Sequence, residues 1–232
     1  MSSPHASPAC RGRAVLSLVA SIGVIGCVLV GSSAGAYAAG STVRTTDPGL
    51  VALHRTAATA GFLAYALMVG TVCWGILTTT HIARRGIRRQ TLYGGHMTMA
   101  IMTMSFLVVH IAGNVFNPTN TLSALNALIP FFPGNSLGVT FGVVGGELSL
   151  AIIISVWLQQ RLGYRTWHVI HRLAYPAYAL ALLHTVISGS DVRNQLIVVG
   201  LGTSLLSVVV LFVLRALPST SLVRRRLAPA EY

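Results

Sequence analysis

Six long apolar stretches, broken by short polar connections, organise this chain: residues 15–39, 57–80, 92–112, 141–158, 169–187 and 196–214. Most reach the roughly 20 residues that a helix needs to cross a hydrocarbon core of about 30 Å. The pattern predicts an all-α, polytopic membrane protein, a six-helix transmembrane bundle. The fifth stretch is the least clean, because His171 and Arg172 fall in its first turn. The connection between the third and fourth stretches, residues 114–139, contains Asn117-Pro118, Pro130 and Pro133-Gly134. These exclude a regular continuation. Its apolar run from Leu128 to Phe132 has two readings, a passive interfacial loop and a flap over the membrane or over the bundle's outer end. No internal repeat stands out.

Composition agrees with the pattern. The 232 residues are 53% hydrophobic and 9% charged, with a mean hydropathy of +0.72, whereas a soluble domain carries about 25% charge. The formal charge of +12 comes from 16 arginines, no lysine and four acids, Asp47, Glu147, Asp191 and Glu231. The arginines sit in the connections rather than along one folded surface, which argues against nucleic-acid binding. Alternate connections differ in charge. Arg11, Arg13, Arg84, Arg85, Arg88, Arg89, Arg161, Arg165, Arg215 and the Arg224–Arg226 run gather on one side, and Arg44, Arg55 and Arg193 on the other. The positive-inside rule then predicts a cell-membrane protein with both termini cytoplasmic: a tail over 1–13, a six-helix domain over 14–215 and a tail over 216–232.

The first stretch has a rival reading. Arg11 and Arg13, the apolar run and Ala36-Tyr37-Ala38 resemble a secretory signal with its cleavage site. The run is about 25 residues, longer than the 7–15 usual for a signal, which favours a retained helix. Cys10, Cys27 and Cys73 lack metal-site spacing and give no disulfide framework.

Four histidines change the picture from a bundle to a chemistry. His96 and His110 lie 14 apart in the third stretch, and His171 and His184 lie 13 apart in the fifth. Either separation is about 20 Å of helix rise. Both segments run outward, so His96 matches His171 near the inner face and His110 matches His184 near the outer one. Imidazole is the commonest metal ligand, and ionisable residues within a membrane mark function. Two histidines at each of two depths suit one haem near each face, placed between helices three and five. Angular phase complicates this. At about 100° per residue, 14 steps return nearly to the same face, but 13 steps leave His184 about 220° from His171. Pro176 between them allows a kink or local unwinding, and two haems approached from different sides are the other solution.

Other residues carry weaker signals. His168, three before His171, is an alternative ligand. Arg55 at the outer interface and Arg172 beside His171 are candidates to pair with haem propionates, against a reading as snorkelling arginines. His54 opens the second stretch, His81 reads as solvated, and Glu147 as a boundary residue. Gly94-Gly95 and Gly145-Gly146 admit either a porphyrin edge or a neighbouring helix. The series Met97, Met99, Met102 and Met104 reads as adaptable packing.

At these residues the chain resembles the ferric reductase-like transmembrane domain, which ferric reductases, NADPH oxidases and the haem-bearing membrane subunit of periplasmic methionine sulfoxide reductase share. The paired histidines carry the resemblance, with the run from Gly163 to Tyr175, Gly-Tyr-Arg-Thr-Trp-His-Val-Ile-His-Arg-Leu-Ala-Tyr, and it covers roughly residues 50–215. Arg55 resembles an arginine that NADPH oxidases place near the outer haem. The resemblance implies two b-type haems carrying electrons outward to an acceptor such as ferric iron. The sequence departs from oxidases and eukaryotic reductases in containing no G-x-G-x-x-G fingerprint. A separate cytoplasmic donor, a flavoprotein reductase carrying the flavin or a quinol, is then expected. Two rivals stand beside this: a haem-bearing anchor for an exported reductase or FMN-binding protein, and a haem-free, proton-coupled transporter.

Overall fold

The computed structural model describes residues 47–79, 88–120, 122–189 and 194–216. The first predicted helix, the cleavage question, His81, the arginines at 11, 13, 44, 84, 85, 193 and 224–226, and both predicted tails apart from residue 216 lie outside them. Among the described residues every regular element is helical. These are α1 (Pro48–Thr78), α2 (Arg89–Val115), the short α3 (Ala124–Leu128), α4 (Leu137–Trp157), α5 (Gln159–Arg172), α6 (Ala174–Ser188) and α7 (Gln195–Ala216). Four of them, α1, α2, α4 and α7, are long and apolar enough to cross a membrane.

Local chemistry sets the ends. Asp47 caps α1 by accepting from Gly49 N at 2.8 Å, with Pro48 in the first turn, where its missing N–H costs nothing. Ser136 caps α4, and Ser123 with Asn126 forms a reciprocal box around α3.

The predicted fifth helix, one span over 169–187, is two. The chain turns at Leu173 between α5 and α6. Pro176 supplies no N–H for the Arg172 carbonyl, and Leu173 N closes a tighter bond to Ile170 O at 2.9 Å. A second break lies at Gly163, whose φ of 75° suits glycine alone. The strongly polar α5 is therefore set off from the apolar α6.

Packing divides the bundle. Helix α2 lies along α1, and α6 along α4, while α7 and α6 also pack on α1. The helices that carry the histidines, α2 and α6, each pack mainly on a different neighbour. Helix α1 is the most buried, its Ala66, Val69, Val72, Cys73 and Ile76 meeting Ile197, Leu201, Val208 and Leu211 of α7. Ala57 and Gly113 set the close approach of α1 and α2: a Cβ on Gly113 would stand 2.7 Å from that of Ala57. The outward faces of α2 and α7 are apolar, with Ile101, Val108, Leu206 and Val209 exposed, as a lipid-facing surface requires.

Polar groups inside are paired. Tyr65 and Tyr178 both reach Ser204, at 2.6 and 3.3 Å, and Ser204 donates back to Leu201 O. Tyr65→Phe should keep the fold but lower stability by about 1–2 kcal/mol, since it removes a buried hydrogen bond. Thermal unfolding in detergent reads this, and an unchanged transition would show that the bond contributes nothing.

Candidate functional site

The four predicted histidines come together as the two predicted pairs. His96 of α2 faces His171 at the end of α5, with ring centroids 6.0 Å apart and planes at 66°. His110 of α2 faces His184 of α6 at 6.2 Å and 79°. A metal–imidazole bond is about 2.0–2.1 Å. With a ring radius of about 1.2 Å, two imidazoles on opposite sides of one ion stand roughly 6.4 Å apart between centroids. Both pairs, at 6.0 and 6.2 Å, are close to that separation. Among the described residues no group of three or more His, Cys, Asp or Glu side chains is placed to hold an ion. An ion held by two imidazoles would take its remaining ligands from elsewhere, as the macrocycle of a haem would supply them.

The phase problem is solved at the break. His171 closes α5 and His184 lies in α6, so the turn at Leu173 lets both rings point toward α2 although 13 helical steps would set them apart. The alternative ligand His168 instead lies flat on Tyr164, at 5.6 Å and 16°. His171 is the residue opposite His96.

Each far-end histidine is held on its other edge. His110 Nδ1 is 2.8 Å from the Ala57 carbonyl of α1, and His184 Nδ1 is 2.7 Å from the Gly138 carbonyl of α4. A carbonyl only accepts, so each Nδ1 carries the proton and donates it. Nε2 is then the lone-pair nitrogen, and a donated Nδ1–H also raises the ring's basicity as a ligand. The near-end pair differs. His171 Nδ1 is buried with no hydrogen-bond partner, and His96 Nδ1 makes no short hydrogen bond although its ring interacts with the Thr71 backbone. His171 instead stacks on Trp167, at 5.1 Å and 26°.

Glycines make room for the rings, and these were not singled out from sequence. A Cβ on Gly61 would stand 2.5 Å from His110 Nδ1, one on Gly142 2.7 Å from His184 Nδ1, and one on Gly75 3.1 Å from His96 Cε1. Gly61 and Gly75 are 14 apart, the spacing of His96 and His110. On antiparallel helices that repeat puts a gap opposite each ring. It was the available signal. Of the glycines noted from sequence, Gly95 faces the Trp74 indole and Gly94 has open space, while Gly145 faces the α6 backbone, Gly146 stands near Leu107, and both also line a cavity beside His110 and His184.

A cavity of about 370 Å³ opens beside His110 and His184, within the roughly 300–1,000 Å³ of small-molecule and cofactor sites. Phe62, Tyr65, Leu107 and Val143 give it apolar walls, and His54, Asn114 and Thr185 give it polar points. Leu122 and Ala127 of the connection between α2 and α4 also line it, while Leu128, Ile129 and Phe131 of its apolar run are exposed and are not part of the wall. Asn126 and Asn135 tie this connection together by mutual hydrogen bonds of 2.9 and 3.0 Å.

Arg55 and Arg172 are both exposed. Arg55 is in the same turn as His54, and the cavity wall there is His54. Arg172 follows His171 at the end carrying Arg88, Arg89, Arg161, Arg165 and Arg215. Glu147 is exposed on α4.

Compared with known proteins, residues 60–182 match the family described as ferric reductase like transmembrane component. The match covers more than half of the chain and contains His96, His110 and His171, ending two residues before His184. No curated protein matches the chain.

Proposed function

The chain belongs to the ferric reductase-like transmembrane family, and we propose that it is a b-type cytochrome passing electrons from a cytoplasmic-side donor to an acceptor at the outer face, ferric iron or another oxidant. The observation that carries the reading is the pair of facing imidazole couples, each at the spacing of two ligands on one ion. His96 and His171 would hold one haem b, and His110 and His184 the other. Haem, when bound, supplies one-electron ferric/ferrous chemistry. The protein's own part is orientation and exclusion of water. The Ala57 and Gly138 carbonyls fix two rings, Gly61, Gly75 and Gly142 seat three, and Phe62, Leu107 and Val143 keep the far-end site apolar.

The arginine-rich end is assigned to the cytoplasm. Arg88, Arg89, Arg161, Arg165 and Arg215 gather there, while Arg55 stands at the other end, the asymmetry that sets orientation in the cell membrane. In that orientation outward electron movement gains about 2.3 kcal/mol per 100 mV. Arg172 and Arg55 are the candidate propionate partners at the two ends, and His54, on the cavity wall, is a polar group poised beside the second. A separate flavoprotein or a quinol is the proposed donor.

Stoichiometry tests the reading. Protein purified in detergent and supplemented with haem should give about two haems per chain by pyridine haemochrome, with sharp b-type bands on reduction, as two complete ligand pairs require. A folded preparation that stays colourless would overturn it and favour a haem-free transporter.

A further inference from the structure

Helix α5 carries a ridge of rings that haem ligation alone does not use. Tyr164, Trp167 and His171 stand at i, i+3 and i+7, one face of a helix. Their centroids are 5.7 Å apart from Tyr164 to Trp167 and 5.1 Å from Trp167 to His171, and His96 follows at 6.0 Å. The ridge begins in the open, with Tyr164 67% exposed. It ends at the near-end histidine pair. Trp167 Nε1 is buried and has no hydrogen-bond partner, although a buried indole usually satisfies its N–H. Its face meets His171, at 26° between planes.

Charge gives the surface around the ridge a preferred partner. Arg88, Arg89, Arg161 and Arg165 are all exposed at this end. Among the described residues the acids are Asp47, which caps α1 at the other end, and Glu147 within α4. Nothing in the described structure neutralises this face, so it suits an acidic one.

We propose that the Tyr164–Trp167 ridge is the electron-entry port: the ring of a reduced flavin, held by a separate donor with an acidic face, meets Tyr164, and electrons tunnel one at a time through Trp167 to the iron held by His96 and His171. The inference rests on the dihaem reading. Each transfer takes one electron from the flavin and converts one ferric iron to ferrous; after two transfers the flavin is oxidised and its protons pass to water. Tyr164 and Trp167 undergo no net chemistry. Their π systems bridge the gap.

The test uses the full chain in nanodiscs, supplemented with haem, and two reductants: reduced flavodoxin, as an acidic flavoprotein probe, and dithionite. Haem content and dithionite-reduced spectra should be unchanged in Trp167→Leu, Trp167→Phe and Tyr164→Leu. Stopped-flow reduction by flavodoxin should slow roughly tenfold in Trp167→Leu and return to within about threefold in Trp167→Phe, because transfer depends steeply on separation and orientation. Binding of oxidised flavodoxin to the haem-free protein, and the wild-type reduction rate, should both fall as salt rises past about 0.1 M, where exposed charges are screened beyond about 10 Å. Wild-type protein that takes up no haem overturns the dihaem reading and the port with it. Normal haem content with Trp167→Leu as fast as wild type overturns the port alone. Should Trp167→Leu lose haem, Tyr164→Leu decides, since its ring is exposed: slowing supports the port and a wild-type rate overturns it. A wild-type rate indifferent to salt, the result if lipid headgroups cover the arginines, also overturns it.

Discussion

On the proposed dihaem reading, replacing His110 or His184 with alanine is expected to remove one haem and to strand electrons on the other. The two rings face each other at 6.2 Å, and either alone would give the haem one protein ligand in place of two. The other couple, His96 and His171, is anchored on different residues and about 20 Å of helix rise away. It should keep its haem and still accept electrons from the cytoplasmic side. Haem content should fall from about two to about one per chain, with a b-type spectrum persisting. Reduction of a membrane-impermeant acceptor should fall by orders of magnitude, because the remaining transfer distance is most of the bilayer. Alanine at His96 or His171 should give the mirror result: the far-end haem is retained and dithionite reduces it, while the physiological donor does so only slowly. If both sets of variants lose the same haem, the pairing read from the geometry is wrong.

The glycine seats should be nearly as sensitive as the ligands. A methyl group at Gly61 would lie 2.5 Å from Nδ1 and 2.8 Å from Cε1 of His110, and one at Gly142 would lie 2.7 Å and 2.9 Å from the same atoms of His184. Neither ring can yield without lengthening its carbonyl bond, 2.8 Å to Ala57 and 2.7 Å to Gly138, or leaving the axis shared with its partner. Gly61→Ala and Gly142→Ala should each cost about 1–3 kcal/mol through overpacking and should deplete the haem next to the cavity selectively. Gly70→Ala is the control, because its added methyl would meet only the flexible Met99 thioether at 3.4 Å. Haem titration and thermal unfolding of the three variants in parallel measure this. Wild-type haem content in Gly61→Ala would show that the ring has another seat.

The split of the predicted fifth helix shows why spacing misled where it did. From sequence, 13 residues on an unbroken helix set His171 and His184 on nearly opposite faces, and Pro176 marked only where a remedy was available. The break at Leu173 is where the chain takes it, because the N–H that would close the turn onto the Arg172 carbonyl is missing. The seats on Gly61, Gly75 and Gly142 were unread for another reason. A glycine in an apolar helix has the same local signature whether it faces lipid, a neighbouring backbone or a ring, so only the partner helix distinguishes Gly61 from Gly94. The ring stack from Tyr164 to His171 was in view as a motif, but which of its rings touch depends on rotamers that spacing does not set.

Sequence by itself determined the solvent and the inventory. Long apolar runs with arginines confined to their ends admit a membrane bundle, because every backbone polar group in lipid must be paired within a helix. The same sequence placed four imidazoles at two matching depths, because rise per residue is fixed along a helix. Tertiary structure decided what those imidazoles face. It turned His171 rather than His168 toward His96, and put His54 rather than Arg55, with Leu122 and Ala127 of the segment between α2 and α4, on the cavity wall. Those choices depend on how helices rotate about their axes and pack, which rests on small differences among many van der Waals contacts between residues distant in the chain, and no local pattern encodes them.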